Sequence, residues 1–316
     1  MERIDIERKI RELMSHAWDE EVKWNEIEGW LDNFKGFFNP EEDEKMHAVY
    51  SITEYMYFGK RLVREMLKSL YRDYFASPLK QRIRRNFGDT LDYELIKKYF
   101  AMELASTRFI GVGNPSESGA HLLYYFRQVN NLSKELFSDI SSVVQARKDR
   151  NNSIIYELVD KKINRIVFFD DIVGSGTQAS SYLGDYIRQL KKNDPKLDIK
   201  FMSLFSTTDG LNRLNSDKVF NGNAMCLFEL DDSYKCLSGN SRYFKNPPKW
   251  FDSAIMQSVL MDYGSAIFPE QPLGYKNGQL LISFSHNTPD NVPPIYWCSM
   301  PELWSPAFLR YHKLYS

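Results

Sequence analysis

Cysteine is scarce in this 316-residue chain: Cys226, Cys236 and Cys298 are all it has. They are odd in number, without a C-x-x-C spacing or a histidine at ligand spacing, so a disulfide framework and a zinc site both lack support and a reducing compartment is expected. Long apolar runs are missing as well. The longest resemble Ile166-Val167-Phe168-Phe169, and mean hydropathy is −0.47, so no segment is expected to span a bilayer and no membrane partner is expected. Met1-Glu2-Arg3-Ile4-Asp5 alternates charged and apolar residues and lacks the apolar stretch of an export signal, which makes the cytoplasm the expected location. An excess of either charge is absent too. With 41 Lys+Arg against 42 Asp+Glu the formal net charge is −1, which argues against coating nucleic acid by bulk charge. His16, His47, His121 and His312 are scattered and suggest neither a metal site nor a catalytic triad.

What the chain does have is the material of a core: 43% hydrophobic and 15% aromatic residues, a composition that disordered tracts do not show. Residues 1–103 read as helical, because apolar residues recur at steps of three and four, as in Ile6, Ile10, Leu13 and Met14 or Leu62, Met66, Leu67 and Leu70. Breaks fall at 36–40, 77–78 and 88–89. From 104 to 249 short apolar runs alternate with Gly/Ser/Asp turns and helical patterns, the grammar of an α/β fold with a parallel sheet flanked by helices. Its expected strands are 108–112, 163–169, 199–205 and 225–229, and its expected helices 119–128 and 178–191. Residues 250–316, rich in Pro and aromatics with a strand expected at 279–284, read as a cap packed on that core.

The informative stretch is Ile166-Val167-Phe168-Phe169-Asp170-Asp171-Ile172-Val173-Gly174-Ser175-Gly176-Thr177-Gln178. Four apolar residues suggest a strand buried on both faces, and two acids stand where it emerges, the end at which open α/β sheets bind ligands. The Gly-Ser-Gly-Thr turn then offers backbone N–H groups and two hydroxyls at a helix start, a setting that favours phosphate. Acids suited to a diol or a metal, and a cradle for a phosphate, share one loop.

This stretch resembles the 5-phosphoribosyl-1-pyrophosphate (PRPP) motif of the type I phosphoribosyltransferases. The resemblance implies a phosphoribosyltransferase-like parallel sheet. It implies that Asp170 and Asp171 hold the ribose 2′- and 3′-hydroxyls and help stabilise charge at C1. It further implies that Gly174, Ser175, Gly176 and Thr177 hold the 5-phosphate, and that Mg²⁺ bridges phosphates and ribose hydroxyls with no direct protein ligand. Members acting on 6-oxopurines usually carry an Asp where this chain has Gly174, which puts a hypoxanthine or guanine role in doubt.

Upstream, residues 108–119 have the same shape, a strand running into a Gly/Ser loop at a helix start. In the family the corresponding loop holds pyrophosphate, so Gly113, Ser116, Ser118 and Gly119 are candidates, although a plain helix cap reads the same way. Residues 145–152 are polar and aperiodic, as a mobile lid reads. Arg147, Lys148 and Arg150 there are candidates for neutralising a leaving pyrophosphate, or are simply solvated. His286 and Asn287, in a polar turn after the last strand, are candidates for base recognition, with Trp297 or Trp304 as stacking surface, while Asn and Pro are also common turn formers and Trp is commonly core. The basic run Lys80-Gln81-Arg82-Ile83-Arg84-Arg85 is a candidate phosphate contact or a solvated helix face.

Over most of its length, through Trp30-Leu31, Phe34, the loop at Ser118-Gly119, Phe169-Asp170-Asp171, Leu273-Gly274-Tyr275, Gln279, His286-Asn287-Thr288-Pro289 and Trp304, the chain resembles the PRTase-CE family. These are phosphoribosyltransferase-like proteins of bacterial conflict systems, including antiphage retrons. The resemblance implies a toxin-type effector, acting on PRPP or nucleotides by phosphoribosyl transfer or by N-glycosidic cleavage. The partners it implies are a reverse transcriptase and its nucleic acid product, or another defence protein. The alternative is a non-catalytic module that senses PRPP or a nucleotide.

Overall fold

The computed structural model describes residues 3–113, 118–148, 152–216 and 218–311. They form two compact units, one built from the residues up to Val63 together with those from Asp231 onward, the other running from Arg64 to Leu230. This differs from the three consecutive segments expected at 103/104 and 249/250, because the first and last stretches of the chain fold with each other.

In chain order come helices α1 (Arg3–His16), α2 (Trp24–Leu31) and α3 (Glu41–Ile52), strand β1 (Met56–Phe58), α4 (Lys60–Leu70), a wider π-turn over Tyr71–Ala76, α5 (Ser77–Asn86) and α6 (Tyr93–Ala105). Then follow β2 (Thr107–Gly111), α7 (Ser118–Val129), α8 (Ile140–Val143), β3 (Val144–Lys148), β4 (Ile154–Leu158) and β5 (Arg165–Val173). After them come α9 (Thr177–Asn193), β6 (Asp198–Thr207), α10 (Thr208–Leu214) and β7 (Ala224–Leu230), and finally α11 (Ser253–Ile267) and β8 (Ile282–Phe284).

In the first unit, α1 turns Ile6, Ile10 and Met14 inward, residues four apart and so on one helical face. Strand β1 lies in a region whose apolar spacing reads as helix. It exists because it pairs in parallel with β8, Met56 opposite Ile282 and Phe58 opposite Phe284. Buried polar groups there find partners: Trp30 Nε1 donates to the Ile295 carbonyl at 2.7 Å and the Tyr296 hydroxyl to Ser51 Oγ at 2.8 Å. The buried Glu44 carboxylate accepts from the backbone N–H of Gly36, Phe38 and Asn39 at 2.7, 2.9 and 2.8 Å, and from the Tyr263 hydroxyl. Those donors stand in for the water it gives up. Burial, with the Glu44 hydrogen bond second, pushes the Tyr263 phenol up to about 12.

The second unit is a four-stranded, wholly parallel sheet in the order β2-β5-β6-β7. Ile166 to Phe169 of β5 are fully buried, as a central strand covered on both faces requires. Phe109 and Phe169 meet Phe126 of α7 on one face, with ring centroids 5.3 and 4.9 Å apart. Ile110, Ile166 and Phe168 point to the other face, where they cluster with Leu183, Ile187 and Leu190 of α9. The amino-terminal end of the sheet is pinned by Arg165, which donates to Glu103 at 2.9 Å, to Asp198 at 2.8 Å and to the Thr107 hydroxyl at 3.2 Å.

Of the aperiodic stretch expected as a lid, residues 145–148 belong to β3, which pairs antiparallel with β4, Val144 opposite Leu158 and Lys148 opposite Ile154. Four of the five β3 residues are exposed. With Val144 its one buried residue, the strand leaves no alternation of apolar residues to read.

Candidate functional site

The site is set by the direction in which the chain leaves two neighbouring strands. From β2 it passes through α7 to a short extended segment at Phe137, which bridges to Phe109 on the outer edge of β2. From β5 it passes through α9 to β6, on the other side. The two connections diverge, so the carboxyl ends of β2 and β5 flank a crevice of the kind in which open α/β sheets bind ligands. Gly113 lies just past β2, whose Gly111 is registered with Phe169, and Asp170 and Asp171 follow Phe169 directly. The structure thus brings Gly113 and the acidic pair to one end of adjacent strands.

Both acids belong to β5, which continues to Val173. Successive residues of a strand face opposite sides, so Asp170 shares the side of Phe168 and Asp171 that of Phe169. Asp171 is 5% exposed, whereas Asp170 is half-buried. Asp170 Oδ1 accepts from the Asp171 N–H at 2.9 Å, and Asp171 Oδ1 from the Ile172 N–H at 2.8 Å. These bonds hold the carboxylates close to the strand.

The turn after β5 is built for close approach. Gly176 has φ +67°, a conformation that a Cβ disfavours, and it is the N-cap of the 17-residue α9. Thr177 opens the helix, and the Ser175 hydroxyl donates to that of Thr177 at 3.1 Å. The positive end of the helix dipole and its first N–H groups therefore lie beside the acidic strand end.

The turn rests on residues that the sequence reading passed over, where β6 runs into α10. The Thr207 hydroxyl donates to the Gly174 carbonyl at 2.6 Å and accepts from the Gly210 N–H at 3.0 Å, capping α10. Gly210 is packed so closely that a Cβ would fall 2.2 Å from the Gly174 oxygen. The one local signal was a threonine at a helix start after an apolar run.

The other expected residues are placed as follows. Ser118 and Gly119 open α7, while Ser116 and Arg150 lie outside the described residues. Arg147 and Lys148 are exposed on β3, and Arg147 lies 3.9 Å from Glu157 across the hairpin. His286 and Asn287 belong to the first unit, in the turn after β8. Asn287 Oδ1 accepts from the Tyr311 N–H at 3.2 Å, and the His286 ring stacks on Phe284 at 5.3 Å. Trp297 and Trp304, considered as stacking surfaces, are core residues, each 5% exposed, with indole N–H groups donating to the Val292 and Ile295 carbonyls. In the basic run, Arg82 pairs with Glu103 at 2.8 Å and the Lys80 ammonium lies 5.2 Å from the centre of the Phe100 ring.

Among solved structures, the chain is similar to the xanthine-guanine-hypoxanthine phosphoribosyltransferase of Helicobacter pylori at 14% identity, covering 56% of this chain and 86% of that one with a TM-score of 0.28. It is similar to the orotate phosphoribosyltransferase of Aeropyrum pernix at 16% identity, covering 47% and 77% with a TM-score of 0.24. The adenine phosphoribosyltransferase of Leishmania donovani is 16% identical, with 56% and 75% covered and a TM-score of 0.27. No curated protein matches. The family model PRTase-CE matches residues 27–310, a span that takes in both units. The chain therefore belongs to the PRTase-CE family.

Proposed function

We propose that the crevice at the ends of β2 and β5 handles a ribosyl phosphate, either transferring the phosphoribosyl group of PRPP or cleaving the N-glycosidic bond of a nucleotide. The observation that carries this reading is the acidic end of β5 running, through a turn with left-handed Gly176, straight into the amino terminus of α9. In it, the N–H groups of the turn and the Ser175 and Thr177 hydroxyls take the 5-phosphate, and the half-buried Asp170, with Asp171 beside it, takes the ribose diol. Departure of a group from C1 leaves positive charge on the ribose ring, which a neighbouring carboxylate stabilises at the moment it forms. Gly113 and the start of α7 receive the leaving pyrophosphate or phosphate, with Arg147 and Lys148 of the hairpin to neutralise it.

Two adjacent carboxylates are hard oxygen donors too few to cage Mg²⁺, and they fit an ion carried by the phosphates and diol of the substrate. When bound, Mg²⁺ supplies charge neutralisation at the departing oxygens. Membership of the PRTase-CE family supports the role of an effector in bacterial antiphage defence of the retron type, working with a reverse transcriptase and its nucleic acid product.

The test is incubation of purified protein with Mg²⁺ and a nucleotide panel, with and without PRPP, products being followed by chromatography and mass spectrometry. Turnover by the native chain that falls about 100-fold or more in D170N/D171N with unchanged melting is the expected result. Equal turnover by the variant overturns the reading. Tight binding of PRPP without any turnover favours the sensing module instead.

A further inference from the structure

A cavity of about 730 Å³ opens in the second unit beside Gly111 and Gly113, and none of the residues from Asp170 to Thr177 lines it. Its described wall combines aromatic rings with two cations: Tyr124 and Arg127 of α7, Lys134 and Phe137 of the segment that follows, and Tyr182 of α9. Tyr124 and Tyr182 are 53% and 40% exposed. The Arg127 guanidinium lies 5.8 Å from the centre of the Tyr124 ring. Among the described residues, neither Arg127 nor Lys134 is in an ion pair.

The carboxylate among the described wall residues, Asp139, caps the next helix, α8, accepting from the Ser142 N–H at 2.9 Å, from the Ser142 hydroxyl at 2.8 Å and from the Ser141 hydroxyl. Those hydrogen bonds, Ser141 first, hold it below the usual carboxylate range. Neutral donors leave it ionised, so the described wall sets two cations, Arg127 and Lys134, against one carboxylate.

We propose that this cavity is a second ligand site, one that binds a nucleoside monophosphate with its base stacked on Tyr124 and Tyr182 and its phosphate between Arg127 and Lys134. The volume lies in the range of small-molecule sites. A planar ring system with one phosphate is the ligand class that uses both halves of the wall, since aromatic faces accept any base by stacking and charge-assisted bonds from Arg and Lys suit a phosphate dianion. The site borders the ribosyl-phosphate crevice at Gly113 but uses no side chain from Asp170 to Thr177, so it stands whether or not that crevice is catalytic.

Calorimetric titration tests it, with AMP, GMP, CMP, ribose 5-phosphate and inorganic phosphate as probes on the native chain, R127Q/K134Q, Y182A and D170N/D171N. At least one nucleotide is expected to bind the native chain and D170N/D171N equally. It should weaken about tenfold or more in R127Q/K134Q and about fivefold in Y182A, with melting unchanged. With the crevice disabled by D170N/D171N, nucleotide binding that survives the further change R127Q/K134Q overturns the proposal, and so does loss of all nucleotide binding in D170N/D171N alone. So does inorganic phosphate that binds as tightly as the nucleotide, because the aromatic wall would then be idle, and so does an absence of nucleotide binding to the native chain.

Discussion

At the scale of single residues, the phosphate turn depends most visibly on a residue outside it. Gly176 must be glycine because of its own backbone angle, and Gly210 must be glycine because the Gly174 carbonyl occupies the space a Cβ would take. G210A is therefore expected to push the turn away from the end of β5, at a cost of about 1–3 kcal/mol from overpacking. Binding of ribose 5-phosphate should weaken in parallel. Urea unfolding and a binding titration read both effects, and a G210A chain with native stability and native affinity would show that the turn does not rest on α10. Gly174, Ser175, Gly176 and Thr177 were legible in the sequence because a turn at a strand-to-helix junction has a local signature. The demand on Gly210 comes from a carbonyl distant in sequence, and no local pattern carries it. Asp171 was legible by position, yet not its burial, which follows from which side of the sheet it shares with Phe169 and α7.

At the scale of elements, the sheet of the second unit is held at the end opposite the crevice by charges. Arg165 is 3% exposed and joins β5 to α6 through Glu103, to β6 through Asp198 and to β2 through Thr107. Arg82 of α5 pairs with the same Glu103 and lies 3.8 Å from Asp198, and Lys200 is 4.0 Å from Asp198, its own ammonium pKa lowered chiefly by burial. Removing Arg165 takes from Glu103, Asp198 and Thr107 their one buried donor and leaves the carboxylates to Arg82 and Lys200, so R165A is expected to destabilise this unit by about 1–3 kcal/mol. R165M, which keeps the packing over Phe75 but not the charge, should lie between R165A and the native chain. Equal stability of R165A and the native chain in urea unfolding would show the network to be ornamental. None of this was visible beforehand, since Arg165 falls inside the strand expected at 163–169 and nothing local names the distant carboxylates it meets. The strands themselves were visible: β5 and β6 are buried on both sides and must be written in continuous apolar residues. The hairpin of β3 and β4 was not, for the converse reason that β3 has almost no buried face.

At the scale of the molecule, the sequence reads as helical region, α/β core and cap in succession, whereas contacts join the first and last stretches into one unit. Local periodicity reports which residues are buried and says nothing of the partner that buries them. The long-range ties described for residues 3–63 run to the far end of the chain: β1 to β8, Trp30 to Ile295, Ser51 to Tyr296, Glu44 to Tyr263. Deleting everything after Leu230 removes all of those partners at once. It takes the Tyr263 hydroxyl from the Glu44 carboxylate and leaves an unpaired three-residue strand in a segment whose helices are individually too short to persist in water. The parallel sheet of the second unit, by contrast, keeps all of β2, β5, β6 and β7. A chain of residues 1–230 is therefore expected to retain a protease-resistant piece beginning near Arg64, while the preceding residues are digested and the helical circular dichroism falls accordingly. Protection of residues 3–63 in that truncated chain would mean that the amino-terminal stretch folds without its distant partner, and that the consecutive organisation suggested by the sequence is the one the chain follows.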